Sequence, residues 1–127
     1  MKAPVWMNAV IADFGRAAGV ESLAFGDSGA TALKFSNGIV LRFEYTGKEL
    51  VVSASFALPH DANTIRRLLS LANPMAGRGV LLRAGIIAKS GAAVVAVRMP
   101  ERDVTLPAVN SVFAALWRAV EDTGGVR

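Results

Sequence analysis

The chain has 127 residues, no cysteine and a formal net charge of +4. That length suits one domain, residues 1–127, burying roughly two-thirds of its unfolded surface, and the missing cysteines exclude a disulfide framework and thiolate chemistry, as fits a cytoplasmic protein. Hydrophobic residues make up 53% and mean hydropathy is +0.42, more apolar character than a small interior absorbs, so a partner is expected to cover part of it.

The start, MKAPVWMNAVIADFG, holds a Lys and an apolar stretch, but Asn8, Asp13 and Arg16 interrupt it. It reads as a helix rather than a signal peptide, and no apolar run in the chain approaches the length of a membrane span. Met7, Val10, Ile11, Phe14 and Ala18 keep helical spacing and Gly19 suits the stop, which predicts a helix over residues 5–18. A short strand is expected at SLAF, residues 22–25, ahead of the GDSG turn.

FSNGIVLRF then reads as a hairpin tip. A two-residue Asn37-Gly38 loop would set Lys34 and Ser36 among Ile39, Leu41 and Phe43, against the alternation. A three-residue loop, Ser36-Asn37-Gly38, sets Leu33 opposite Leu41 and places Gly38 where a positive φ costs least. TGKE connects to a long strand, ELVVSASFAL, with Tyr45 opposite Leu50 and Phe43 opposite Val52 on the same apolar face.

Pro59 and the following HDAN end this sheet segment. Asp61 is placed to cap a second helix, with Ile65, Leu68, Leu69 and Ala72 on one stripe and Pro74 beyond its end. PMAGRG reads as a loop. GVLLRAGIIAK and AAVVAVRM form a second hairpin, for which a two-residue Ser90-Gly91 loop sets Ile86 opposite Val95, Ala84 opposite Val97 and Arg83 opposite Arg98. Directly opposed like charges are unfavourable, so a carboxylate near that arginine pair is expected.

The last helix is expected from Leu106 to Glu121, with Thr105 as cap, Pro107 in the first turn and Val109, Val112, Phe113, Leu116 and Val120 buried. Trp117 flanks that stripe, and the terminal DTGGVR should fray. The order is helix, three long strands, helix, two strands, helix: an α+β fold with a mainly antiparallel sheet.

Catalysis has little support. His60 is the single histidine and its neighbour Asp61 diverges from it, so a turn or capping role is the stronger reading. No cluster of His, Cys or carboxylates has metal-ligand spacing. AGRG shares two glycines with a phosphate loop but lacks its Lys-Ser/Thr end. No cofactor is expected. Between Ala62 and Pro100 there is no acidic residue, while Arg66, Arg67, Arg78, Arg83, Lys89 and Arg98 fall there. Such asymmetry marks either a solvated face or a surface for an acidic partner or nucleic acid, although without interleaved aromatics single-strand stacking has no support. Val40, Val51, Leu81, Ile87 and Val94 fall on the reverse faces of their strands, where a one-sided sheet would be polar.

The stretches IADFGRAAGVESLAFGDSGATALKFSNGIVLRFE, IRRLLSLANPMAGRGVLLRAG and LPAVNSVFAALWRAVE, in this order, resemble the class I type III secretion chaperones of the Tir-chaperone (CesT-like) family. The resemblance implies a homodimer in the bacterial cytoplasm that holds the N-terminal secretion segment of an effector or export substrate extended and non-globular, with neither ATP nor a catalytic residue. It places pairing on the second helix and a neighbouring strand, here Ile65, Leu68, Leu69, Ala72, Leu81 and Ile87. It places the client over the first helix and the sheet, where Val5, Trp6, Leu23, Phe25, Val40 and Val51 are the candidate contacts. Val5, Trp6, Leu23 and Phe25 read equally well as core. Members of that family are typically acidic, and a sequence pI near 10.1 keeps a second class open: a small basic dimer that binds nucleic acid or acts in regulation.

Overall fold

A computed structural model describes residues 2–58, 61–70, 82–87 and 89–123. Its elements are α1 (Val5–Ala17), β1 (Ala30–Lys34), β2 (Val40–Tyr45), β3 (Glu49–Phe56), α2 (Ala62–Ser70), β4 (Arg83–Ile86), β5 (Ala93–Pro100) and α3 (Leu106–Asp122). The strands form one antiparallel sheet in the order β1-β2-β3-β5-β4, so β1 and β4 lie at its edges.

Strict alternation decides which way the three central strands face. Leu41, Phe43 and Tyr45 of β2, Leu50, Val52, Ala54 and Phe56 of β3, and Ala93, Val95, Val97 and Met99 of β5 are buried. Helix α3 packs on β3 and β5, α1 packs on α3, and α2 packs on β4. Met7, Ile11 and Phe14 from α1 and Val109, Val112, Leu116, Ala119 and Val120 from α3 complete the core. Aromatic contacts tie the first hairpin to the helices: Phe14 meets Phe43 edge-on at 5.6 Å, and Phe35 meets Trp117 at 5.2 Å.

The first hairpin has the three-residue loop that parity requires. Leu33 faces Leu41, the Phe35 N–H donates to the Ile39 carbonyl, and Gly38 adopts a φ of +92°. Asn37 Oδ1 accepts from the Ile39 N–H at 3.1 Å, closing the turn from the side-chain end. Tyr45 faces Leu50 and Phe43 faces Val52 as expected. Helix α1 ends in a Schellman motif, the Val20 N–H reaching the Gly15 carbonyl and the Gly19 N–H that of Arg16. Asp61 caps α2 by accepting from the Thr64 N–H at 2.8 Å, and Thr105 caps α3 through the Ala108 N–H at 3.2 Å.

Three expectations are corrected. SLAF is not a strand: Ser22 sits at a φ of +63°, which ends any extended run there. The Phe25 N–H, which a ladder would use, instead donates to Asn8 Oδ1 on α1 at 2.9 Å. The second hairpin is displaced by two residues. Ala84 faces Val95 and Arg83 faces Ala96, while Ile87 and Ala92 close a four-residue loop with Gly91 at a φ of +72°. The expected opposition of Arg83 and Arg98 therefore does not arise, and Arg98 instead pairs with Glu49 on β3, Nε to Oε1 at 2.7 Å. Thirdly, of the DTGGVR expected to fray, Asp122 ends α3 and Thr123 is buried with its hydroxyl donating to the Val120 carbonyl, while residues 124–127 lie outside the described residues. Pro59, His60, Pro74, Arg78 and the PMAGRG loop lie outside the described residues.

Candidate interaction surfaces

Three apolar surfaces stand out on this framework. The first is the start of α1. Val5 is 86% exposed and Trp6 46% exposed, because the buried stripe of Met7, Ile11 and Phe14 turns them outward. An exposed tryptophan beside an exposed valine on a rigid helix is a candidate anchor, since tryptophan is enriched among the residues that dominate interfaces. The other two candidates from this region behave differently. Leu23 is buried, packed so closely on α1 that its Cβ lies where a Cβ on Gly15 would have to go. Phe25 is half-buried and packs against the core. Leu23 is thus a core residue, which corrects its assignment to an accessible client surface.

The second surface joins α2 to the β4 edge. One helical stripe divides by depth: Leu68 is fully buried within its own chain, Ile65 is half-buried and Leu69 is 55% exposed. Leu68 is therefore committed to the core and unavailable to a partner without rearrangement. Ile87 is 42% exposed, as its placement on the reverse face requires. Ile86 is 39% exposed although it faces the core side. Sequence reading missed Ile86, because the strand was set in a longer register. The available signal was an adjacent isoleucine pair in an edge strand, where alternation can bury only one of the two. Ala72 and Leu81 lie outside the described residues.

The third surface is the sheet face opposite the helices. Val40, Val51 and Val94 are half-buried there. Register places Val40 and Val94 on either side of Ser55, while Val51 sits apart, beside Glu44 and Arg98. The cations from the acid-free segment separate in space. Arg66 and Arg67 are exposed on α2, Lys89 lies in the β4–β5 loop, and Arg83 and Arg98 stand on the open sheet face.

Polar chemistry is sparse. Among the described residues no group of three or more His, Cys, Asp or Glu could hold a metal ion, and no helix is long and apolar enough to cross a membrane. An open depression of about 300 Å³ near Gly38, Phe56, Leu58 and Ser90 has no charged side chain in its lining. The Tyr45 hydroxyl donates to Glu101, and this bond holds tyrosine ionisation above its ordinary range. That contact fastens β2 to the turn before α3.

The family model described as type III secretory system chaperone SycN matches residues 6–123. The chain belongs to this family of type III secretion chaperones. Solved structures share its fold. The chain is similar to one in the ExsC-ExsE complex at 18% identity, with a TM-score of 0.78 over 95% of this chain and 92% of the other. It is similar to one in the HopA1-SchA chaperone-effector complex at 23% identity, with a TM-score of 0.69 over 92% and 90%. For a complex of the Yersinia pestis type III secretion chaperone SycH with a fragment of YscM2 the values are 17% identity and a TM-score of 0.68, over 91% and 98%. No curated protein matches the sequence.

Proposed function

We propose that this chaperone binds the N-terminal segment of a secreted effector or related export substrate, keeps it non-globular and delivers it to the secretion machinery. The observation that carries the reading is the family match over residues 6–123. Structural relatives named as chaperone-effector complexes support it, as do exposed Val5 and Trp6 on a domain whose remaining large apolar residues are mostly buried. An extended client gains affinity from apolar pockets and from main-chain pairing at a sheet edge, and β1 is such an edge. Trp6, Val5, Val40 and Val51 are the contacts assigned to it, with Phe25 contributing its exposed part.

The working unit in this reading is a homodimer in the bacterial cytoplasm, close in type to the CesT-like chaperones and without enzymatic activity. Leu69, Ile87 and Ile86, flanked by Ile65, supply the pairing surface. Capture from the native cell at moderate and high salt tests the function. A specific protein retained at high salt is the expected result, because apolar capture resists screening. Recovery of nucleic acid alone, lost log-linearly as salt rises, would replace this reading with that of a basic nucleic-acid-binding dimer.

A further inference from the structure

The open sheet face carries a charge pattern that apolar capture does not require. Register aligns Arg42, Ser53, Ala96 and Arg83 in one row across β2, β3, β5 and β4. The next row sets Lys34, Val40, Ser55 and Val94 side by side. The centre of the face is therefore a shallow floor of small side chains, with Arg42 at one end of its row and Arg83 at the other. Three strand spacings separate those arginines, about 14 Å. Arg98 is neutralised by Glu49, whereas Lys34, Arg42 and Arg83 have no ion-pair partner among the described residues. Glu44 is the other carboxylate on this face.

We propose that this face docks an extended, acidic protein segment whose carboxylates reach Arg42 and Arg83. The proposal rests on the chaperone reading and names the client chemistry. In an extended chain, residues four apart point the same way and stand about 13 Å apart, which matches the arginine spacing. The residue midway between them lies over Ser53 and Ala96, where only a small or slender side chain fits. Val40 and Val94 supply apolar contact on one flank. A second copy of this chain is a poor occupant, because a self-complementary contact would bring its own arginines together. Nucleic acid fits less well than protein, because the two arginines are separated by a neutral floor over which a continuous phosphate backbone would meet no cation.

The test uses the full chain and a fluorescein-labelled peptide with glutamates four residues apart and alanines between, its glutamine analogue, and a short random-sequence DNA duplex. At low salt the glutamate peptide should bind at least about fivefold tighter than the glutamine one. Arg42→Gln with Arg83→Gln should erase that preference, while Lys48→Gln with Arg102→Gln should leave it intact. Amide shifts on binding should centre on Ser53, Ser55, Val94 and Ala96. Equal affinity for the two peptides, a preference surviving in the Arg42/Arg83 variant, or tighter binding of the duplex would each overturn the proposal. A native client retained equally by the wild type and that variant would also overturn it, leaving the chaperone reading standing. An arginine-dependent glutamate preference with no protein client in the cell would support the docking surface and remove the chaperone reading.

Discussion

Gly15 lies in the last turn of α1, a helical position where alanine would ordinarily be favoured by about 1 kcal/mol. Here a Cβ would meet Leu23 Cβ at 2.7 Å and the Val20 carbonyl oxygen at 3.1 Å. Gly15→Ala is therefore expected to destabilise by about 1–3 kcal/mol in urea melts, and a stabilised variant would mean that the 20–23 segment does not pack on α1. Gly38 has nothing within 4 Å of an added Cβ, but its φ of +92° still strains any other residue. Gly38→Ala should cost about 1 kcal/mol, with Asn37→Asp much milder because it keeps the acceptor for the Ile39 N–H. Asp61 gives a pH signature. The Thr64 amide, then its hydroxyl, hold the Asp61 carboxyl below the ordinary aspartate range. Because the folded state lowers this value, the stabilisation is complete above the unfolded-state pKa and is lost as pH falls through the folded one. Asp61→Asn should keep the cap and show a flatter acid limb of stability against pH; an unchanged limb would mean that the cap does not titrate. Gly38 and Asp61 were legible in the sequence because turn and cap chemistry are local. Gly15 was not, since its neighbour Leu23 arrives from beyond the end of the helix.

Helix α2 divides its stripe by depth, and with the proposed pairing surface the division is testable one residue at a time. Leu68→Ala opens a cavity in the core and should cost about 2–5 kcal/mol. Leu69→Asp, at a position 55% exposed, should leave the monomer fold nearly intact by circular dichroism while lowering the mass seen by light scattering from dimer to monomer. A wild-type monomer at micromolar concentration would remove the pairing surface altogether. Sequence pattern could not make this division, because Leu68 and Leu69 are adjacent and both fit a broad apolar stripe. The hairpins show the same boundary from another side. For β1 to β3, turn residues and alternation agree on one register, and that register is the one observed. For β4 and β5, a shift of two residues preserves every face, so alternation is silent and the loop length alone decides. The α-turn from the Gly91 N–H to the Ile87 carbonyl is a property of the closed loop that a Ser-Gly pair does not announce. At Leu23 and Phe25 the alternation was real, but it marked residues laid against α1, Leu23 at Gly15 and Phe25 through Asn8, rather than a ladder.

At the scale of the molecule, composition announced surplus apolar surface without locating it. The fold divides that surplus among the start of α1, the α2–β4 edge and the open sheet face, and it distributes the basic residues so that they form no single stripe. Element order was legible because helix caps, turn glycines and two-residue alternation are strong along most of this chain. The surfaces were less so, since exposure depends on which elements happen to cover which. Trp6 and Leu23 read alike in sequence, yet Trp6 is 46% exposed and Leu23 is 6% exposed. In the proposed function the exposed surfaces hold one protein segment in an extended, non-globular state. Limited proteolysis of the complex captured from the native cell, with the surviving fragments read by mass spectrometry, tests it most directly. The expected result is a single client in which one contiguous stretch near the N-terminus survives only while the chaperone is present, and in which Trp6→Ala shortens or abolishes that protection. A client protected throughout as a folded globular domain, or a preparation holding nucleic acid and no client, would contradict it.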